Sequence, residues 1–154
     1  MKAKYISGSG GEGTAAVIEI DGVEYECMNC LGFGRSRGYR PGDIIFVSLI
    51  ADRVKTDARG NVQIDPNPQQ RKALESRGGW RYRAYGIVTT VTPSKERYSD
   101  FRALTPNNLD CGAVNFAVPQ LTGDDLDGRF IAIDIERMDC WRSRNRAESQ
   151  RKKR

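Results

Sequence analysis

Alternating apolar and polar residues divide most of this chain into short segments that predict β-strands. Two of them, residues 14–20 and 23–29, flank Asp21-Gly22, a dipeptide that accepts the positive φ angles of a tight hairpin turn. Because side chains alternate between the two faces of a strand, each segment has an apolar face, formed by Ala16, Ile18 and Ile20 in the first and by Val23, Tyr25 and Cys27 in the second. We therefore predict a β-hairpin with these faces directed at the core.

Further segments extend this strand-rich pattern. Residues 43–50 form a nearly continuous run of β-branched and aromatic side chains, which predicts a strand buried on both faces at the centre of a sheet. Residues 54–56 and 62–64 predict a small hairpin, because the intervening DARGN suits a longer turn. Three more strands are predicted at residues 80–92, 110–118 and 128–138, the last with Ile131, Ile133 and Ile135 on one face.

One segment, residues 67–78, predicts a helix. Asn67 is a suitable cap, Pro68 fits the first turn and Gly78 fits the end. The segment is mostly polar, so this helix can cover one end of a fold but cannot provide a layer of the core. Many strands and one short helix together predict an all-β fold, specifically a small antiparallel barrel.

The length and the termini predict the domain organisation. The chain has 154 residues, enough for one domain with a self-sufficient core, which we place at residues 14–141. The glycine-rich residues 1–13 are expected to be flexible, and residues 142–154 to form a disordered basic tail. No signal peptide is recognisable, and the longest apolar-rich run, residues 44–51, is much shorter than the ~20 residues of a membrane helix. These features predict a soluble cytoplasmic protein.

Positive charge is concentrated in three segments. Residues 31–42 and 77–85 interleave arginine with aromatic residues and glycine, and each contains three arginines and no acid. Residues 142–154 carry seven basic residues and one acid. Together the three segments carry +12 in a chain of net charge +5, which leaves −7 on the remainder. A polyanionic partner favours such clustering through counterion release and electrostatic steering, although arginine stems that cover apolar surface would also explain it.

The basic segments supply the candidate binding residues. Five aromatic side chains are predicted to stack on bases: Phe33, Tyr39, Trp80, Tyr82 and Tyr85. Five arginines are predicted to contact phosphates or to stack themselves: Arg35, Arg37, Arg40, Arg81 and Arg83. The tail would add nonspecific contacts from Arg142, Arg144, Arg146, Arg151, Lys152, Lys153 and Arg154. Alternation separates Trp80 and Tyr82 from Tyr85, which lies on the other face of the strand, and a core role for Trp80 or Tyr82 is an equally consistent interpretation.

The segments AAVIEIDGVEYECMN (residues 15–29) and YRPGDIIFVSL (residues 39–49), joined by a basic glycine-rich loop, resemble the first three strands of OB-fold domains of the cold-shock and ribosomal RNA-binding branch. In that family, a loop of basic and aromatic residues precedes a strand that starts with Gly-Asp. The resemblance extends over about residues 14–91. It implies an OB-like barrel that binds single-stranded RNA or DNA.

The four cysteines permit two interpretations. Cys27 and Cys30 have the spacing of one half of a zinc knuckle. Because the chain has no histidine, a four-ligand zinc site would also need Cys111 and Cys140, one from each of two other predicted strands. The default interpretation is that all four are buried, reduced thiols without a cofactor.

Catalysis finds little support, because the absence of histidine removes the commonest general base. The leading prediction is a non-catalytic single-stranded nucleic-acid-binding protein with low sequence preference. The second hypothesis is a protein-interaction module of the phage or plasmid accessory type, whose basic loops dock on an acidic partner. The third is a magnesium-dependent nuclease that uses the carboxylates of Asp124, Asp125, Asp127, Asp134 and Glu136.

Overall fold

The computed structural model describes residues 1–8, 13–32, 38–90, 107–122 and 124–143. Within these residues the fold is nearly all-β, as predicted, and the one helical element is a short 3-10 turn, Asp124–Leu126. No helix among them is long and apolar enough to cross a membrane. The strands are β1 (Lys2–Gly8), β2 (Ala15–Ile20), β3 (Val23–Cys30), β4 (Ile44–Val54), β5 (Asp65–Pro66), β6 (Ala73–Ser76), β7 (Tyr82–Thr90), β8 (Asn107–Asp110), β9 (Asn115–Val118) and β10 (Phe130–Arg142).

The chain divides into two compact units. The first unit consists of Met1–Leu49 and Asp139–Arg154, and the second consists of Ile50–Met138. Both boundaries fall inside long strands, so β4 and β10 each contribute one part to the first unit and one part to the second. In sequence, the second unit is therefore inserted between the fourth and fifth strands of the first.

Five strands pair in a closed ring in the first unit. β1, β2 and β3 form an antiparallel meander, and β1 also pairs antiparallel with β4. The last part of β10 runs parallel to β3, beginning where Asp139 pairs with Met28. β10 also pairs with β4, and beside this pairing the Ser143 N–H donates to the Phe46 carbonyl oxygen at 2.9 Å. The order around the ring is β1-β2-β3-β10-β4.

The predicted hairpin is confirmed in the first unit. Asp21 and Gly22 adopt φ angles of 50° and 79°, and β2 pairs with β3 on either side of them. The apolar faces also fall as alternation predicted, except that Val23, beside the turn, is 51% exposed. The buried side chains of the hairpin are those of Ala16, Ile18, Ile20, Tyr25, Cys27 and Cys30.

β4 was predicted to be buried on both faces, and this is wrong. Ile45, Val47 and Leu49 are buried, whereas Ile44 and Phe46 point outward and are 56% and 40% exposed. A strand in a closed ring has only one inward face. The apolar side chains on the other face of β4, Ile44 and Phe46, therefore lie outside the core.

Five strands also pair in a ring in the second unit. β7 pairs antiparallel with the first part of β10 and with β8, and β8 pairs antiparallel with β9. β9 runs parallel to β4 where Ile50 pairs with Ala117, and β4 lies beside β10 where the Lys55 N–H donates to the Asp134 carbonyl oxygen at 2.8 Å. β5 and β6 are short strands that pair with β10 and β7. The predicted inward face of β10 is confirmed, with Ile131, Ile133 and Ile135 buried.

The predicted helix at residues 67–78 is wrong. Asn67 instead closes a loop: its side-chain oxygen accepts the Arg71 N–H at 3.0 Å, and its side-chain nitrogen donates to the carbonyl oxygens of Arg71 at 2.9 Å and Ile131 at 3.3 Å. The chain then forms β6 against β7. Pairing with a neighbouring strand thus outweighs the local cap signal, as tertiary contacts often do for weak helix signals.

Four further predictions about organisation are corrected. Residues 1–13 were expected to be flexible, yet Lys2–Gly8 forms β1 with Ala3 and Tyr5 buried. The predicted strand at residues 110–118 is two strands, β8 and β9, separated by a turn in which Gly112 has a φ of 98°. Arg142, assigned to the tail, ends β10. The expected antiparallel arrangement also holds only in part, because β3–β10 and β4–β9 are parallel.

Candidate nucleic-acid interface

The described end of the first basic run is fixed to β1. The Tyr5 N–H donates to the Asp43 carbonyl oxygen at 2.8 Å, and the Gly42 N–H donates to the Tyr5 carbonyl oxygen at 2.7 Å. Tyr39 packs on Tyr5 with ring centroids 5.6 Å apart, and the Arg40 N–H donates to the Asp43 carboxylate at 2.8 Å. The chain therefore enters β4 from a segment that is hydrogen-bonded to β1.

Of the three arginines predicted in the first basic run, Arg40 lies within the described residues. Its side chain is exposed and makes no ion pair with any described residue. Tyr39, which is half-buried against Tyr5, offers less open ring surface than the sequence suggested. Three other predicted loop residues, Phe33, Arg35 and Arg37, lie outside the described residues.

The second basic run divides between two faces of β7, as alternation predicted. Tyr82 is 3% exposed and belongs to the core of the second unit, so it is corrected from a stacking platform to a packing residue. Arg83 and Tyr85 lie on the outer face and are half-buried, and Arg81, just before the strand, is exposed. Only this outer face can offer the predicted cations and aromatic ring to a ligand.

Arg83 is engaged by acids of neighbouring strands. Its guanidinium lies 2.9 Å from the Asp65 carboxylate and 3.2 Å from the Asp134 carboxylate. Burial alone would lower the pKa of Arg83, but hydrogen bonds to Tyr85 and Asp65 and the charge of Asp134 outweigh it and raise that pKa. The hydrogen bond from Arg83 in turn lowers the pKa of Asp65, against the opposing effect of burial. The charge of Arg83 is therefore largely neutralised within the second unit.

Tyr85 lies between two guanidinium groups. Arg71 is 4.5 Å and Arg83 is 5.4 Å from the centre of its ring, distances that suit cation–π contacts. Arg71 also forms an ion pair with Glu75, which in turn accepts from Arg77. Sequence reasoning missed Arg71, because it was assigned to a helix, and no local pattern indicates its position over the ring.

A tight turn precedes β7 and carries Trp80. The Arg77 N–H donates to the Arg81 carbonyl oxygen at 2.8 Å, and the Arg81 N–H donates to the Gly78 carbonyl oxygen at 3.1 Å. Trp80 is half-buried, and its indole N–H is buried without a hydrogen-bond acceptor among the described residues. The Trp80 carbonyl oxygen accepts the Met138 N–H at 3.0 Å. The edge of the Trp80 ring that carries the N–H is therefore packed inside the second unit.

The tail is represented in the structure by its first two residues. Arg142 is exposed at the end of β10, and Ser143 follows it. The remaining predicted tail contacts lie outside the described residues, namely Arg144, Arg146, Arg151, Lys152, Lys153 and Arg154.

The four cysteines are buried thiols. Cys27 donates to the Ala16 carbonyl oxygen at 3.7 Å, and a hydrogen bond with Cys140, followed by burial, raises its pKa. Burial and the neighbouring Asp110 raise the pKa of Cys111 to about 12. No group of three or more cysteine or acidic side chains among the described residues is placed to hold a metal ion. Within the described part of the chain, the four cysteines are therefore not gathered into one group suited to a zinc ion.

The acidic residues considered for a nuclease are dispersed within the second unit. Asp125 and Asp127 are exposed at the 3-10 turn, and Glu136 is exposed on β10. Asp134, on the same strand, is engaged with Arg83. Within the described ranges these carboxylates do not form a group suited to a metal ion.

Comparison with known proteins returned no protein-family model, no curated protein and no solved structure that matches this chain.

Proposed function

We propose that this protein is a non-catalytic single-stranded nucleic-acid-binding protein. It tracks the backbone of RNA or DNA with cationic side chains and stacks bases on aromatic ones, with low sequence preference. The observation that carries the proposal is the described end of the basic loop, which is fixed to β1 through Tyr5 and Tyr39 and leaves Arg40 exposed. A cation that the protein does not neutralise itself can release counterions from a phosphate backbone.

The strand order of the first unit supports the OB-like part of the proposal. OB-folds are five-stranded, partly open barrels with Greek-key connections. The first unit has five paired strands, and its ring includes the non-consecutive neighbours β1–β4 and β3–β10. The basic loop connects the third and fourth strands of this ring.

The second unit contributes less to this function than its sequence suggested. Arg83 is held by Asp65 and Asp134, and Tyr85 is covered by guanidinium groups of the protein. Arg81 and the exposed part of Trp80 remain as candidate contacts of the second basic run.

A second candidate function is a protein-interaction module that docks on an acidic partner. It is favoured by Ile44 and Phe46, two exposed apolar side chains directly after the basic loop, because apolar side chains beside a charged rim are typical of protein interfaces. Such a module would have little affinity for oligonucleotides at physiological salt.

Fluorescence anisotropy with labelled single-stranded RNA and DNA tests the proposal. The full chain and a chain that ends at Ser143 would be titrated across a salt series, each with an intact strand and with a strand that contains abasic residues. We expect binding that weakens steeply with salt, persists without the tail and is stronger for the intact strand. Binding that disappears with the tail, or no binding at physiological salt, would overturn the proposal and favour the protein-interaction module.

A charge-matched pair of variants locates the effect. Substituting Arg35, Arg37 and Arg40 together by glutamine is expected to weaken binding strongly. The control substitutes Arg53, Arg59 and Arg129, three exposed arginines of the second unit, also by glutamine. Equal losses in the two variants would mean that net charge alone determines binding.

A further inference from the structure

The outer face of the first unit carries an unpaired basic and apolar patch on β1 and β4. The patch consists of Lys2 and Lys4 on β1 and of Ile44 and Phe46 on β4, all four exposed. The register places Lys2 directly opposite Phe46, and Lys4 directly opposite Ile44. Neither lysine makes an ion pair with a described residue.

The patch lies next to the described ends of the two other basic segments of the first unit. The arginine-rich loop enters β4 at Asp43, one residue before Ile44. On the other side of Phe46, its carbonyl oxygen accepts the Ser143 N–H at 2.9 Å, and the basic residues from Arg144 onward follow Ser143 in the sequence. Asp43, the two lysines and Ser143 therefore lie around one sheet face.

The neighbouring strands set the limit of this patch. Glu19 on β2 pairs with Lys4 on one side and with Glu24 on the other, and Glu26 follows on β3. Like charges directly opposite one another, as in Glu19 and Glu24, are unfavourable, and an anionic ligand would add to this repulsion. In OB-folds the face of the second and third strands is a usual binding surface, but here that face is acidic.

We propose that the β1–β4 face, with Phe46 as its stacking platform and Lys2 and Lys4 as phosphate contacts, is the surface on which the first unit binds a single-stranded nucleic acid. This inference rests on the proposed function and names the surface that performs it. Residues two apart on a strand are about 6.8 Å apart, so the two lysines can contact different phosphates. A base beside them can stack on the exposed ring of Phe46.

The test measures binding of the full chain to a labelled oligothymidylate and to the same strand with abasic residues. Phe46→Ala is expected to weaken binding to the intact strand at least about fivefold, the lower end of a stacking contact, and to leave binding to the abasic strand unchanged. Phe46→Trp is expected to retain wild-type affinity, which separates stacking from a folding defect. Thermal melting of each variant checks that the fold is kept.

The lysine variant reports on the backbone contacts. Lys2→Gln with Lys4→Gln is expected to weaken binding to both strands and to reduce the salt slope by about 1.4, since each phosphate contact on a single strand contributes about 0.7. Val23→Ala is the control, because Val23 is 51% exposed in the same unit but lies beside the acidic strands; wild-type affinity is expected.

The outcomes separate the two proposals. If the wild-type chain binds in a base-dependent manner but the Phe46 and lysine variants bind like wild type, the surface is wrong and the proposed function stands. Equal losses in Phe46→Ala and Val23→Ala would also overturn the surface. If the wild-type chain does not bind the oligonucleotide, the proposed function itself fails.

Discussion

The two units differ in how far acids of the same unit neutralise their cationic side chains. In the second unit Arg71, Lys72, Arg77, Arg83 and Arg137 all form ion pairs with acids of the same unit. In the first unit Lys2, Lys4 and Arg40 form none with the described residues. Within the basic run at residues 77–85, Arg77 and Arg83 are paired and Arg81 is not, whereas Arg40, in the described end of the run at residues 31–42, has no ion pair with a described residue.

The strand pairing of the units does not account for this difference. Each unit has three consecutive antiparallel strands, parts of the two long strands β4 and β10, and one parallel pairing. The difference lies in the outward side chains: in the second unit Arg83 forms ion pairs with acids of two neighbouring strands, whereas in the first unit Lys4 lies opposite Glu19 without an ion pair to a described residue and Lys2 lies opposite Phe46. Similar strand pairing thus accompanies an arginine with two ion pairs on β7 and, among the described residues, lysines without ion pairs on β1.

The largest expected effect comes from breaking the strand that positions the second unit's ion pairs. A Cβ at Gly86 on β7 would lie 2.3 Å from the Asp110 carbonyl oxygen, a backbone atom that cannot move aside cheaply. We expect Gly86→Ala to reduce the free energy of unfolding by about 3 kcal/mol, measured by urea denaturation. Gly32→Ala, in the first unit, is the control, because its Cβ would meet no atom within 4 Å; similar losses in both variants would contradict the close approach.

A smaller loss is expected from the loop that holds Arg71 over Tyr85. Asn67→Ala removes three hydrogen bonds to backbone groups of Arg71 and Ile131, each worth about 1 kcal/mol. We expect the free energy of unfolding to fall by about 2 to 3 kcal/mol in thermal or urea denaturation. Asn115→Ala, an exposed asparagine on β9, should change it little, and an unchanged stability of Asn67→Ala would contradict the closed loop.

Reciprocal arginine variants test the comparison directly. Arg83→Met leaves Asp65 and Asp134 without their cation, and we expect a loss of about 1 to 2 kcal/mol in unfolding free energy, because the group is only partly buried, with no change in oligonucleotide affinity. Arg40→Gln should leave the unfolding free energy unchanged and weaken oligonucleotide binding. Urea denaturation measures the stability of both variants, and fluorescence anisotropy measures their affinity for an oligonucleotide. The difference between the two units would be contradicted if Arg83→Met weakened binding as much as Arg40→Gln.

The smallest expected effect is on the pH dependence of stability. The pKa of Asp65 is lowered, chiefly by its hydrogen bond from Arg83, so the unfolded chain binds its proton first as the pH falls. The stabilisation is present above the unfolded pKa of about 3.9 and is lost as the pH falls through the folded pKa. We expect urea denaturation below about pH 4 to show a shallower loss for Arg83→Met than for wild type; parallel curves would mean that Arg83 does not lower that pKa.

Asp110 is the internal reference for that measurement. Its pKa is also lowered, mainly by the hydrogen bond from the Gly112 N–H and, after an opposing effect of burial, by Lys72. Neither partner is changed in Arg83→Met, so this part of the acid-induced loss should remain in the variant.

Sequence reasoning predicted those parts of the fold that depend on local pattern. The Asp21-Gly22 turn and the inward isoleucines of β10 depend on turn chemistry and on alternation, and both are confirmed. Alternation also separated Tyr82 from Arg83 and Tyr85 on β7. Alternation could not show which of the two faces of β7 is the inner one. The structure shows that the face of Tyr82 is buried in the core.

Features that depend on distant pairing were missed. The acids that neutralise Arg83 lie on β5 and β10, separated from it by many residues, and no local pattern shows that these strands are neighbours. Asn67 has the chemistry of a helix cap, but its side chain bonds to a backbone N–H four residues ahead to close a loop. The patch on β1 and β4 was missed because residues 1–13 were expected to be flexible.

The insertion of one unit between two strands of the other also matters during synthesis. The ring of the first unit needs β10, which pairs with β3 and beside β4, yet residues 50–138 are translated before the required part of that strand. At about 5–20 residues per second, the growing chain carries four finished strands of the first unit for roughly 4 to 18 seconds before the fifth exists. During that interval β3 has an open edge, which is a site for pairing with other chains, so we expect the ribosome-bound chain to be open to misassembly until its last strand is made.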